Sequence, residues 1–283
     1  MDLAEQADFG DKPSFPSGDD LSEALAWQAE RFPDVALSQR TSFSRFENAD
    51  QAWDPEGAFV EVLMGYQTQF AAGMDDRVRG AHLMAFYSHH LSIAVGALFL
   101  KTGRVIDLDP STLAVRFEPL GEKTLQNRPA DARRLHFCFS DFASGSDPLA
   151  AFHDGFVAGL RPVVNTIASR SGLSPTALWR LAADGLTGAF LDVGIALCDE
   201  KRAMGLARSL VRKSGSPLSF DVHFEYVETN IEGILSGRFF RLRSGCCLFY
   251  RTKDGRFCDV CVLLDERTRK DRLRAHLEGA GGR

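Results

Sequence analysis

Apolar residues recur along this chain with two different periods, and the changes of period mark out the elements. Residues 1–20 show neither period; Asp, Gly, Ser and Pro dominate them, which predicts a loose N-terminal arm. A helix is predicted over residues 21–32, and residues 38–56 read as polar loop. Phe59, Val62, Leu63, Tyr66 and Phe70 then fall on one helical face. The longest apolar stretch, residues 80–100, contains His82, His89, His90, Ser88 and Ser92. A membrane span holds about twenty mainly apolar residues with few ionisable groups. This stretch therefore predicts a buried helix.

Beyond residue 110 the period shortens to two. Leu113, Val115 and Phe117 alternate with polar partners, as do Leu135, Phe137 and Phe139, which predicts strands with Arg116, Arg134 and His136 on the wetter face. Asp147-Pro148 and Ser174-Pro175 are each an N-cap followed by proline at the first helical position. They predict helices running to Ser171-Gly172, with Pro162 kinking or splitting the first, and through Cys198. Phe220, Val222, Phe224 and Tyr226 alternate again with Asp221, His223 and Glu225, and residues 265–278 predict a charged terminal helix. The expected fold is α+β: mainly helical, with a small antiparallel sheet and a C-terminal cysteine-rich segment. The expected organisation is an arm (1–20), a helical α+β domain (21–240) that presents substrate, and a C-terminal segment with a basic helix (241–283).

Composition narrows the function. The chain has 283 residues, 45% hydrophobic and 25% charged, with a net charge of −5. That balance argues against holding nucleic acid or an anionic membrane. The N-terminus has no basic start and no apolar run, so no secretory signal is expected and the protein is placed in the cytoplasm. There thiols stay reduced, and clustered cysteines indicate metal or redox chemistry rather than disulfides.

Four of the six cysteines form such a cluster: Cys246-Cys247, ten intervening residues, then Cys258-Asp-Val-Cys261. The C-x2-C half lets two thiolates reach one metal and is shared by zinc and iron–sulfur sites. The adjacent pair discriminates. Neighbouring Cα atoms lie about 3.8 Å apart, so two such thiolates on one ion close a strained ring. Two sulfide-bridged irons can take one thiolate each. The spacing therefore favours a [2Fe–2S] cluster, while structural zinc stays open.

Lys253-Asp254-Gly255-Arg256 resembles a hairpin turn. A regular hairpin would pair Leu248 with Cys261 and strand Cys258 roughly 10 Å away. Four-fold ligation instead requires a spacer folded back on itself, with Phe249, Tyr250 and Phe257 as a water-excluding cover. Between Arg241 and Cys261 five basic residues face two acidic ones, a local charge of +3. Positive neighbours stabilise an anionic cluster, and Arg243 and Arg251 are the expected tuning residues. Cys138 and Cys198 read as buried small hydrophobes, and His82 and His89 as core or pocket histidines.

The segment resembles the C-terminal signature of the FhuF-type ferric siderophore reductases, Cys-Cys-x10-Cys-x2-Cys with an arginine before it and Tyr-Arg after the pair. Here those are Arg243, Cys246-Cys247, Tyr250-Arg251, Cys258 and Cys261. The family often has proline after the last cysteine; this chain has Val262. The resemblance implies a cytoplasmic enzyme with a [2Fe–2S] cluster on Cys246, Cys247, Cys258 and Cys261. It would reduce ferric iron in a siderophore, usually a hydroxamate, so that ferrous iron escapes.

The chain has no G-x-G-x-x-G, P-loop, H-E-x-x-H or G-x-S-x-G motif. Electrons are then expected from a partner such as a ferredoxin or a flavin reductase, docking on Arg267, Arg269, Lys270, Arg272 and Arg274. No nucleic-acid partner and no membrane span are expected; a transient peripheral contact with an importer is compatible with the reading. The alternative is a siderophore-binding or regulatory protein in which the same cysteines hold structural zinc.

Overall fold

The computed structural model of the chain describes residues 20–39, 46–120 and 131–280. Most of the expected 1–20 arm lies outside them. The fold is α+β and mainly helical. In chain order the elements are α1 (Leu21–Arg31), β1 (Val35–Gln39), β2 (Glu47–Asn48), α2 (Ala49–Ala52), α3 (Ala58–Gln67) and α4 (Asp76–Thr102). Then come β3 (Ala114–Pro119), β4 (Arg133–Phe139), α5 (Pro148–Ser171), α6 (Pro175–Ala196) and α7 (Glu200–Val211). The chain ends with β5 (His223–Ile231), β6 (Ile234–Leu242), a single 3-10 turn (Phe249–Arg251) and α8 (Glu266–Ala280).

Local chemistry sets the helix ends. Asp147 Oδ1 accepts from the N–H groups of Leu149 and Ala150, Pro148 opens α5, and Gly172 closes it with φ 65°. Ser174 Oγ accepts from Ala177 N–H ahead of Pro175, which starts α6 the same way. Asp75 caps α4 through Val78 N–H at 2.8 Å.

α4 is the axis of the core. It is long and apolar enough to cross a membrane, and here most of that apolar run is buried in the protein. It packs on α6, α5, α3 and α1 and beneath β1 and β4. The α4–α6 approach depends on Gly185. A Cβ there would stand 2.9 Å from the His89 backbone nitrogen and run into Ser88 Oγ. Gly185→Ala is therefore expected to lower stability by about 2–3 kcal/mol, as overpacking does; urea unfolding midpoints of the two proteins check it.

One sheet has the order β1-β4-β3-β2. β1 runs parallel to β4, with Val35 opposite Leu135; β3 is antiparallel to β4, with Val115 opposite Phe137. β5 and β6 form a separate antiparallel hairpin closed by Glu232 and Gly233, both at positive φ. α8 lies on β5, and Val227, Phe240, Leu273 and Leu277 make a second small core there. β6 crosses the expected 240/241 boundary, and Cys247 belongs to the main core.

Four expectations need correction. Residues 38–56 are not simply loop: β1 ends at Gln39, and β2 and α2 bury Ala49, Ala52 and Trp53. Strand-length and one-turn elements are too short to impose a period. The inward face of α3 is Val60, Leu63, Met64 and Gln67, whereas Val62 and Phe70 are exposed; the helix ends at Gln67, so Phe70 lies beyond it. Pro162 does not split α5, which continues through it. The hydrogen bond proline removes costs about 3 kcal/mol in a helix interior, and the burial of Phe156, Leu160, Val163 and Ile167 around it offsets that. Cys198 is exposed at positive φ, because α6 stops at Ala196.

Candidate cysteine site and adjoining cleft

β6 leads directly into the cysteine segment, and a buried carboxylate fixes the junction. Asp184, on α6, accepts hydrogen bonds from Ser244 N–H at 2.9 Å, Ser244 Oγ–H at 3.0 Å and Gly245 N–H at 2.9 Å. Arg241 Nη1 stands 3.5 Å from the same carboxylate. Gly188, one turn along α6, leaves room for that arginine: a Cβ there would meet Arg241 Nε at 3.3 Å. Cys246 and Cys247 follow immediately.

The spacer is not a hairpin. After Cys247 the chain enters the left-handed region at Leu248, φ 59°, and coils into the 3-10 turn. It then docks on the loop before α4, where Lys253 N–H donates to the Ala72 carbonyl at 2.9 Å and Arg251 pairs with Asp75 at 3.3 Å. Cys261 N–H closes a turn onto the Cys258 carbonyl at 3.0 Å, and Arg272 of α8 ties down the Phe257 carbonyl at 2.8 Å. Folding back brings Cys258 to Cys247, which a regular hairpin forbids.

The thiols are arranged by depth. Cys247 and Cys261 are buried; Cys246 and Cys258 are half-buried. The Cys258 thiol donates to the Cys247 sulfur, and this bond, with Arg243 beside it, lowers the Cys247 pKa to about 5 despite burial. Cys258 keeps the shared proton and is pushed well above the usual thiol range. Burial raises Cys246, against which Leu248 N–H donates to its sulfur at 3.4 Å. Phe249 N–H donates to Cys247. Burial works against the charge of Arg243, but the sulfurs of Cys247 and Cys258 outweigh it and hold its pKa above the ordinary value.

Among the described residues, no three His, Cys, Asp or Glu side chains converge closely enough to hold a metal ion as they stand. The donor chemistry nevertheless fits a thiolate-bound cluster. Four cysteines interact electrostatically with one another, backbone N–H groups point at two sulfurs, and a guanidinium compensates the charge. The Nε and Nη1 donors of both Arg241 and Arg243 are buried without a hydrogen-bond partner.

The expected flanking residues divide. Arg243 reaches the cysteines; Arg251 is taken by Asp75. Phe249 packs inward on the core, its ring 5.9 Å from that of His82, while Tyr250 and Phe257 pair at 5.0 Å on the outer side. On the expected docking helix, Arg269 and Lys270 face Glu225, Arg274 pairs with Asp271, and Arg272 holds the cysteine loop. Arg267 is exposed.

Arg243, which interacts with the cysteine sulfurs, also lines a cleft of about 550 Å³. α4 gives it His82, Phe86, His89 and His90; α3 and the following turn give Tyr66, Gln69 and Phe70; Arg133, Asp184, Arg241 and Arg243 complete the polar lining. His82 Nδ1 bonds Gln67 Oε1 at 2.7 Å, and Gln67 donates its own amide to the Leu63 carbonyl, so His82 Nδ1 carries the proton. His90 Nδ1 donates to the Phe86 carbonyl at 2.7 Å. Burial lowers the pKa of all three histidines to about 4, helped by Arg243 at His82, Arg241 at His89 and His89 at His90. Burial raises Asp192, 3.6 Å from His89, to about 6.

Sequence reasoning noted the histidines but missed Asp184 and Arg241. The available signal was Asp184 and Asp192, two lone acids eight residues apart in the apolar run of α6. No family model matches this chain, and no curated protein matches it.

The histidines give a pH prediction. In the unfolded chain each takes a proton near pH 6.5; in the folded protein each resists protonation until about pH 4. The unfolded state thus binds more protons in this window, and stability falls as pH drops from about 6.5 towards 4. Asp192 works the other way below about pH 6, because the folded state holds its proton. His136, which burial also holds below its ordinary value, adds to the three histidines against Asp192, so the net slope is downward. Urea midpoints at pH 7.5 and 5.5 should show it, and His82→Gln with His90→Gln should flatten it.

Proposed function

We propose that this protein is an iron–sulfur oxidoreductase that reduces ferric iron held by a siderophore and so releases ferrous iron in the cytoplasm. The observation that carries the reading is the folded-back cysteine loop, which brings Cys258 against Cys247 beside Arg243, a residue that also lines a ligand-sized cleft. The Cys-Cys-x10-Cys-x2-Cys resemblance to FhuF-type reductases supports it.

Cys246, Cys247, Cys258 and Cys261 would hold a [2Fe–2S] cluster, which would supply one-electron transfer. The chain's own residues do the rest. Arg243 and the N–H groups of Leu248 and Phe249 offset thiolate charge. Cys247 and Cys258, which share one proton, would both have to hold the metal as thiolates, so that proton would be lost on ligation. Phe249 and His82 close the inner side of the loop, and half-buried Cys246 and Cys258 lie nearest the surface, where an electron donor would approach. The cleft holds the siderophore against the face shared by Arg241 and Arg243. Overall, one electron from a ferredoxin or flavin reductase converts ferric to ferrous iron, which hard oxygen ligands bind far more weakly. No nucleophile or proton relay is needed.

The test is direct. Dithionite-reduced, anaerobically desalted protein is mixed with a ferric hydroxamate in the presence of a ferrous chelator. Reoxidation of the protein with matching ferrous-chelate colour supports the reading. A stable reduced protein that forms no ferrous chelate sinks it.

A further inference from the structure

The wetter face of the four-stranded sheet carries a serine, a histidine and a glutamate in one chain of contacts. Ser38 sits near the end of β1, His136 on β4 and Glu118 on β3, each partly buried. Ser38 Oγ is 2.9 Å from His136 Nε2, and His136 Nδ1 is 3.3 Å from Glu118 Oε1. None of the three lines the cleft at Arg243, and the proposed reductase makes no use of them.

The protonation states follow from the partners. Arg134 holds Glu118 Oε1 through Nε at 2.9 Å and Nη2 at 2.8 Å, and Arg116 pairs with Oε2. Burial works against the Glu118 charge, but Arg134, His136 and Arg116 outweigh it and hold its pKa below the ordinary value. An ionised carboxylate only accepts hydrogen bonds. His136 Nδ1 therefore carries the ring proton, and Nε2 accepts from the Ser38 hydroxyl. Arg116 Nη2 also lies 3.4 Å from Nδ1, but its ion pair goes to Glu118. Burial keeps the His136 pKa below its ordinary value, so the ring is neutral at pH 7 and free to take a proton.

A base within hydrogen-bond reach of a hydroxyl, itself oriented by a fixed acid, is what activates a serine. β1 is an edge strand, and at its end Gln39 is exposed. Val35 turns both its N–H and its carbonyl away from β4, to Phe32 and Gln28. Backbone direction alternates along a strand, which sends the Gln39 N–H to the same open edge, next to Ser38, as a donor to an oxyanion. Phe46 stands edge-on to the His136 ring at 4.9 Å and supplies an apolar wall. A second Ser–His–acid contact, Ser216–His153–Asp154, lacks these features. Ser216 Oγ already accepts from Leu218 N–H, and Asp154 is exposed and shared with Lys213.

We propose that Ser38, His136 and Glu118 form a separate active site that hydrolyses carboxylic esters with a small apolar acyl group. Ser38 Oγ attacks the carbonyl carbon, and its proton passes to His136 Nε2. The ester C–O bond breaks, and the alcohol leaves with that proton. Water then attacks the acyl-serine, gives its proton to Nε2, and the acid departs as Ser38 Oγ takes the proton back. Glu118 keeps the ring oriented throughout. An ester's alcohol leaves more easily than an amide's amine, which suits a base as weak as His136.

The test treats anaerobically purified full-length protein with a fluorophosphonate and locates the label by peptide mass spectrometry; turnover of p-nitrophenyl butyrate is followed on the same samples. The label is expected on Ser38, at a rate at least about a hundredfold lower in His136→Gln, in line with loss of a general base. Ester turnover should vanish in Ser38→Ala, which removes only a hydroxyl and keeps the test open if His136→Gln does not fold. No label, a label on any other residue, an unchanged labelling rate in His136→Gln, or equal turnover in Ser38→Ala would each overturn the proposal.

Discussion

Asp184→Ala is expected to destabilise the protein by about 3–5 kcal/mol, the range for removing one partner of a buried charged network. The carboxylate sits almost wholly buried on α6 and holds Ser244 N–H, Ser244 Oγ–H and Gly245 N–H, with Arg241 alongside. Alanine leaves two backbone donors and a guanidinium without an acceptor. It also frees the chain just ahead of Cys246, so the cysteine loop loses its anchor to the helical core. The thermal midpoint should fall by roughly 10 °C for a chain of this size, and metal content after purification should fall with it. Asp184→Asn keeps one acceptor oxygen and should fall between the two proteins. Thermal denaturation of the three, with metal counted on each, decides the point. A loss below about 1 kcal/mol would show that the anchor is dispensable.

Cys247→Ser should have the larger effect on the site. Cys247 is a buried thiolate: it receives the Cys258 proton's hydrogen bond, faces Arg243, and belongs to the main core. Serine is a poor ligand for a soft, thiolate-bound iron centre. Bound iron is expected to drop from about two per chain to near none. Cys258→Ser should behave alike, whereas Cys198→Ser, exposed at the end of α6, should retain full iron. Iron retained in Cys247→Ser, or lost in Cys198→Ser, would contradict the assignment of ligands.

The two proline-initiated helices, the buried α4 and the alternating strands β3 and β4 were legible in the sequence because their signals are local: a cap, a period, a turn residue. β1, β2 and α2 were not, since a five-residue strand and a single helical turn carry no period of their own. β1 is held by pairing with β4, about a hundred residues later in the chain. The four cysteines stood out by spacing alone. Their support did not. Asp184 reaches Ser244 across sixty residues, and Arg241 reads in the sequence as one of five basic residues around the cysteines. Arg251, close to the cysteines in sequence, is drawn off by Asp75 on a different element. Contacts of that kind follow from how α6 lies against β6, which no local pattern encodes.

The central claim is a cluster on Cys246, Cys247, Cys258 and Cys261. It is tested most directly by the absorption spectrum of anaerobically purified protein, with iron, sulfide and zinc counted on the same sample. The account predicts a brown protein carrying about two irons and about two sulfides per chain, bleached by dithionite. A colourless protein with about one zinc per chain would contradict it and leave a binding protein whose cysteine loop is stapled by metal.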